Sequence, residues 1–141
     1  MPLVSMYSVT DNDIFSNQSC IFIYADNRKR SGEPTINNIF RNLDNAYPVI
    51  LKKHGGDEAA SYWKDEDIEV FRNEFDHSMD DINSLLRRRA VGILCRESLD
   101  HDTFSFLNIK DHSKLIHDYA LHKIDCFYSN FTPNLPRIPT Q

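Results

Sequence analysis

Three short apolar runs, separated by stretches of helical character, constrain this chain more than any other feature. Cys20-Ile-Phe-Ile-Tyr24, Val49-Ile-Leu-Lys52 and Ala90-Val-Gly-Ile-Leu-Cys95 are compact, β-branched or aromatic, and bounded by polar or glycine-containing segments. Each reads as a buried strand. Between the first two, Pro34 stands where a first helical turn tolerates a missing N–H, and Ile36, Ile39, Phe40 and Leu43 follow at helical spacing until Asp44-Asn45. Parallel neighbours need such crossovers and bury both faces of their sheet. The order therefore predicts a three-layer α/β domain with a mostly parallel sheet.

The clearest helix runs from about Asp65 to Arg88. Its Ile68, Phe71, Phe75, Met79, Ile82, Leu85 and Leu86 recur along one face. Asp65, Glu66 and Asp67 crowd its N-terminus and Arg87, Arg88 and Arg89 its end, as the helix dipole favours. A last helix, capped by Asp111 or Ser113, is expected to run to about Asp125 through Leu115, Ile116, Tyr119, Ala120 and Lys123. Leu3 to Val9 is expected to add an edge strand. Residues 1–131 thus read as a single domain and 132–141, with three prolines, as a tail that cannot be helix or central strand.

Net charge is −5, so the broad basic surface of a general nucleic-acid binder is absent. From Asp57 to Asp81 ten acids stand against Lys64 and Arg72, whereas Arg28, Lys29 and Arg30 form a basic cluster. Three scattered cysteines, Cys20, Cys95 and Cys126, signal neither a disulfide framework nor a zinc site and fit a reducing cytoplasm. No stretch approaches a membrane span, and the first ten residues lack a basic lead before an apolar run. A cytoplasmic protein without membrane association is expected, with a homo-oligomer left open.

Ligands of parallel sheets bind beyond the carboxyl ends of the strands, which directs attention to Ala25–Glu33, Lys52–Asp57 and Arg96–Phe106. In the first, Asp26, Asn27, Arg28, Arg30 and Gly32 precede a helix N-terminus. That arrangement suits an anion, or equally a solvated turn pinned by Asp26 and Asn27. Lys52, Lys53 and His54 form either an exposed strand end or a cationic floor beside that loop. Gly55-Gly56 reads as a flexible turn or as a place where backbone meets a ligand. The third segment is read as a polar loop. It holds Glu97 and His101, which with Cys95 supply residue types for acid–base chemistry, and Thr103 and Phe104, the latter a stacking surface. His112, His117 and His122 are spaced by five, so no two share a face as a metal pair does, and neither metal nor cofactor is expected. Only four glycines occur, where average usage gives roughly ten. No glycine-rich nucleotide fingerprint is present.

Ile21-Phe-Ile-Tyr-Ala-Asp-Asn27, Gly32-Glu33, Asn45-Ala46, Lys52 and Tyr62-Trp-Lys-Asp-Glu-Asp67 before the long helix together resemble an uncharacterised family of small bacterial and phage proteins. That family is similar to macro-like α/β domains, which bind ADP-ribose and related nucleotides. The resemblance runs from about Ile21 to Ile124. It matches Asp26, Asn27, Gly32, Lys52, Asp65 and Asp67 to the family's own motif positions. It departs at Ala25, where the family carries glycine, and at Glu97 to Phe104, where the family carries a glycine-rich loop, so side chains stand where bare backbone would face a diphosphate.

The resulting expectation is a non-catalytic protein binding a small phosphorylated or nucleotide-like ligand through Asn27, Arg28, Arg30 and Lys52. The resemblance implies, on this reading, a phage-type, anti-defence protein that sequesters a host nucleotide signal in the host cytoplasm. Two alternatives stand beside it. One is a protein-interaction module or host-enzyme inhibitor using the acidic helix with Phe104 and Phe106; the other is a hydrolase of nucleotide conjugates using Glu97 and His101.

Overall fold

Alternation along a single buried strand builds both cores of the molecule. The computed structural model describes residues 3–33, 35–56, 58–88, 90–100 and 106–131. Strand β2 (Ile21–Asn27) is buried along its whole length. Ile21, Ile23 and Ala25 enter one core and Phe22 and Tyr24 the other. The remaining strands are β1 (Leu3–Met6), β3 (Ala46–Lys52) and β4 (Gly92–Cys95), ordered β1-β4-β2-β3. Every pair is parallel, with Ile23 beside Leu94 and Tyr24 beside Pro48. Pro48 is tolerated because β3 is an edge strand, where a missing N–H need not break a ladder.

The helices are α1 (Asp11–Ser16), α2 (Asn38–Arg41), α3 (Ile68–Arg87), α4 (Arg96–Asp100), α5 (Phe106–His112) and α6 (Lys114–Phe131). On one face of the sheet, α3 and α6 pack Phe71, Phe75, Met79, Ile82, Ile116, Ala120, Ile124 and Phe127 against Ile23, Val49 and Leu94. On the other, Phe40 of α2 stacks on Tyr24 at 4.9 Å, with Ile14 of α1 and Cys95 alongside. Burying a side chain of this size stabilises the fold by roughly 1.5–3 kcal/mol, and these two clusters anchor both layers.

Several elements differ from the sequence reading. The helix after Pro34 is shorter: Thr35–Asn37 form a 3₁₀ turn and only Asn38–Arg41 are α-helical. Arg96–Asp100, expected as polar loop, is helix α4; Ser98 fixes it by donating to the Cys95 carbonyl and accepting the Ala25 N–H, both at 2.9 Å. Helix α6 continues past Asp125 because Phe127 and Phe131 extend its buried stripe. The unexpected α1 begins in a reciprocal cap, the Thr10 hydroxyl accepting the Asp13 N–H and the Asp13 carboxylate the Thr10 N–H. No helix among the described residues is long and apolar enough to cross a membrane.

Candidate functional site

The motif at the end of β2 is committed to internal contacts. Asp26 and Asn27 belong to the strand and are fully buried. Arg41 of α2 donates to both carboxylate oxygens of Asp26, at 2.7 and 3.0 Å, and to the Gly32 carbonyl at 2.8 Å. Asn27 accepts the Lys29 N–H and donates to the Ser31 carbonyl, each at 2.9 Å, which winds residues 28–31 into a pinned turn. Arg30, at φ +53°, and Gly32, at φ +76°, take the left-handed backbone this turn needs.

The basic cluster does not converge. Arg28 lies 5.3 Å above the Trp63 ring and 3.5 Å from Glu74 of α3. Arg30 turns toward α2, donating to the Tyr24 hydroxyl at 3.1 Å and the Arg41 carbonyl at 3.3 Å. Burial first, and then the Asp26 charge, push the Tyr24 hydroxyl up to about 12. The two guanidinium groups therefore serve opposite faces of the sheet.

Lys52 is not the exposed strand end the sequence allowed; it is fully buried. Its ammonium donates to the Gly56 carbonyl and stands 4.2 Å from the centre of the Tyr62 ring. Gly55 meets protein rather than a ligand: a Cβ there would lie 2.4 Å from the Glu33 carbonyl oxygen. The Gly55-Gly56 turn thus packs backbone to backbone against the β2 loop, and the Arg28 N–H donates to the Lys52 carbonyl at 2.9 Å. The two loops form one rim.

His112, at the end of α5, stacks on Tyr62 with ring centres 3.9 Å apart and planes within 8°. Its Nδ1 is 3.4 Å from the Lys64 ammonium. Burial, then Lys64, hold the imidazole below its ordinary pKa, with Asp111 opposing and Lys52 adding to the effect. Lys53 pairs with Asp67 at 2.9 Å, but Lys64 has no ion pair among the described residues. A buried ring thus carries Lys52, His112 and Lys64 around it at the carboxyl ends of β2 and β3. Sequence reasoning missed Lys64 and His112, which are 48 residues apart and meet only because α5 packs beside the start of α3.

Among the catalytic candidates, Cys95 is buried and desolvation pushes its thiol up to about 12, so it supplies no thiolate near neutrality. Glu97 accepts from the Ser8 hydroxyl at 3.4 Å, and its N–H donates to the Tyr7 carbonyl. His101, Thr103 and Phe104 lie outside the described residues, and the Phe106 side chain is likewise not described. On the acidic helix, Asp76 accepts the Tyr119 hydroxyl at 2.7 Å and faces α6 instead of standing clear for a partner. Among the described residues no group of three His, Cys, Asp or Glu side chains could hold a metal ion.

Fold and rim together define a parallel α/β domain with a cationic, aromatic cluster at its strand ends. Residues 5–116 match the model of a family of unknown function, DUF7831, and the chain belongs to that family. The match runs from within β1 into the first turn of α6 and takes in the whole rim. No curated protein and no solved structure matches the chain.

Proposed function

We propose that the protein binds a small phosphorylated, nucleotide-like ligand at the carboxyl ends of β2 and β3, holding it without chemical turnover. One observation carries the reading: the Lys64 ammonium has the imidazole of His112 as its near neighbour and makes no ion pair among the described residues. A lysine whose near neighbour is a neutral base, at a half-buried rim, is an arrangement that an anion can join. Tyr62 and Trp63 give the rim stiff aromatic backing, and Arg28 and Lys53 flank it at 5.3 and 5.7 Å from Trp63. The sequence resemblance to macro-like domains agrees with a nucleotide-like ligand, and sequestration of a nucleotide signal is the role that follows.

Calorimetry against pyrophosphate, ADP-ribose, cyclic nucleotides and NAD tests the proposal. Wild type should bind at least one of them, with affinity falling as salt rises, and Lys64→Met should weaken it about tenfold or more. Absence of heat with every ligand at millimolar concentration, or unchanged binding by Lys64→Met, would overturn it.

A further inference from the structure

The edge strand β3 and helix α3 leave an open groove between them. It consists of two hollows, of about 240 and about 340 Å³, and Tyr47 and Asp81 border both. Tyr47, Pro48 and Ile50 of β3 form one wall, Glu74 and Asp81 stand on the other, and Leu85 and Arg88 close the far end. Glu74 lies 3.5 Å from Arg28. Asp81 has the exposed His77 imidazole 3.6 Å away, and no lysine or arginine among the described residues pairs with it. An aromatic ring and a proline thus face a carboxylate that lacks a cationic partner.

The chain itself carries a segment of matching chemistry. Residues 132–141, outside the described residues, read Thr132-Pro-Asn-Leu-Pro-Arg-Ile-Pro-Thr-Gln141, with Pro133, Pro136 and Pro139 at every third position. A polyproline II helix has three residues per turn, so in that form the prolines make one row, Leu135 and Ile138 a second, and Asn134, Arg137 and Thr140 a third. Two rows are apolar and the third bears a single positive charge. Segments of this kind dock in aromatic-lined grooves, and a carboxylate beside the groove fixes the arginine. The connection also reaches. Helix α6 runs beside α3 in the same direction: Ser113 donates to Asp65, Tyr119 to Asp76, and Phe127 lies with Met79 and Ile82. Residue 132 therefore follows on beside the last turns of α3, near the end of the groove that Leu85 and Arg88 close. Ten residues of polyproline II span about 30 Å, and packed helices lie only about 8–10 Å apart.

We propose that the groove between β3 and α3 is the docking site of this chain's own residues 132–141. The segment passes around the end of α3, lays its apolar rows against Tyr47 and Pro48, and pairs Arg137 with Asp81. The groove is joined to the cationic rim through the Glu74–Arg28 contact, but the docking stands or falls apart from the function proposed above.

NMR of the whole chain tests the docking. Nuclear Overhauser effects should connect the Tyr47 ring with the methyl groups of Leu135 or Ile138. Asp81→Lys, a change at an exposed position, should abolish them, and Arg137→Glu added to the same chain should bring them back. The amide signals of Lys64 and His112 should stay in place throughout. The proposal is overturned if wild type shows no such effect, if Asp81→Lys leaves it unchanged, or if the double variant fails to restore it. Effects that vanish on dilution would assign the groove to the segment of a second copy and would equally overturn docking within one chain.

Discussion

Asp26 and Arg41 form a two-point ion pair, 2.7 and 3.0 Å across, with both side chains withdrawn from water. The pair joins β2 to α2, and through the Gly32 carbonyl it holds the loop that was expected to receive a ligand. Removing one partner leaves the other charge buried alone, which costs about 3–5 kcal/mol. Arg41→Met should lower stability in urea by that amount. Asp26→Asn combined with Arg41→Met should recover a large part of the loss. A double-variant loss equal to the sum of the losses in Asp26→Asn and Arg41→Met alone would show that the pair is not coupled.

Gly55 and Gly32 separate two reasons for glycine. A Cβ at Gly55 would strike the Glu33 carbonyl, whereas one at Gly32 meets nothing within 4 Å and is disfavoured by its φ of +76° alone. Gly55→Ala should destabilise by about 1–3 kcal/mol through overpacking, and Gly32→Ala by about 1 kcal/mol. Gly55→Ala should also move the amide signals of both loops, because their backbones touch. Thermal unfolding and amide shifts of the two variants read both effects.

The cysteines should differ sharply toward alkylating reagents. Cys126 is exposed, while Cys95 is buried with its thiol pushed up to about 12. Mass spectrometry after brief iodoacetamide treatment at neutral pH should show modification at Cys126 and none at Cys95 until denaturant is added. Early labelling of Cys95 would contradict its place in the core.

His112 makes stability pH-dependent in a defined direction. Its folded pKa lies below the ordinary 6.5, so as pH falls through 6.5 the unfolded chain takes up the proton first. This contribution is complete above 6.5 and is lost as pH falls toward the folded value. Wild type should lose stability between about pH 7.5 and about pH 5.5, and His112→Phe, which keeps a ring against Tyr62, should lose less. Equal losses in urea titrations at the two pH values would remove His112 from the account.

The layered α/β fold was legible because its signals are local. Ile21 to Tyr24 and Ile93 to Cys95 announce buried strands by composition, and the stripe from Ile68 to Leu86, with charges sorted to its ends, announces α3. Helix α4 was not legible, since its five residues are placed by a hydrogen bond from Ala25, distant in sequence. The Thr10–Asp13 cap was readable as a helix start, but the segment it opens buries none of its residues and so carries no core stripe. Lys52 looked like a solvated strand end because burial of a lysine depends on the Gly56 carbonyl and the Tyr62 ring, which only the folded turn supplies. Lys64, set among acids in Trp63-Lys64-Asp65-Glu66-Asp67, stood out in the sequence only as one of two cations against ten acids. Its approach to His112 arises from tertiary packing alone.

The central claim is that the rim around Tyr62 accepts an anion beside Lys64 and His112, and the His112 imidazole reports on it directly. Its pKa, followed by NMR in the whole protein with and without pyrophosphate, should start below 6.5 and rise when the anion is present, because a nearby negative charge favours the imidazolium. Lys64→Met should raise the starting value and shrink the rise. A His112 pKa that pyrophosphate leaves unmoved at millimolar concentration would contradict the account.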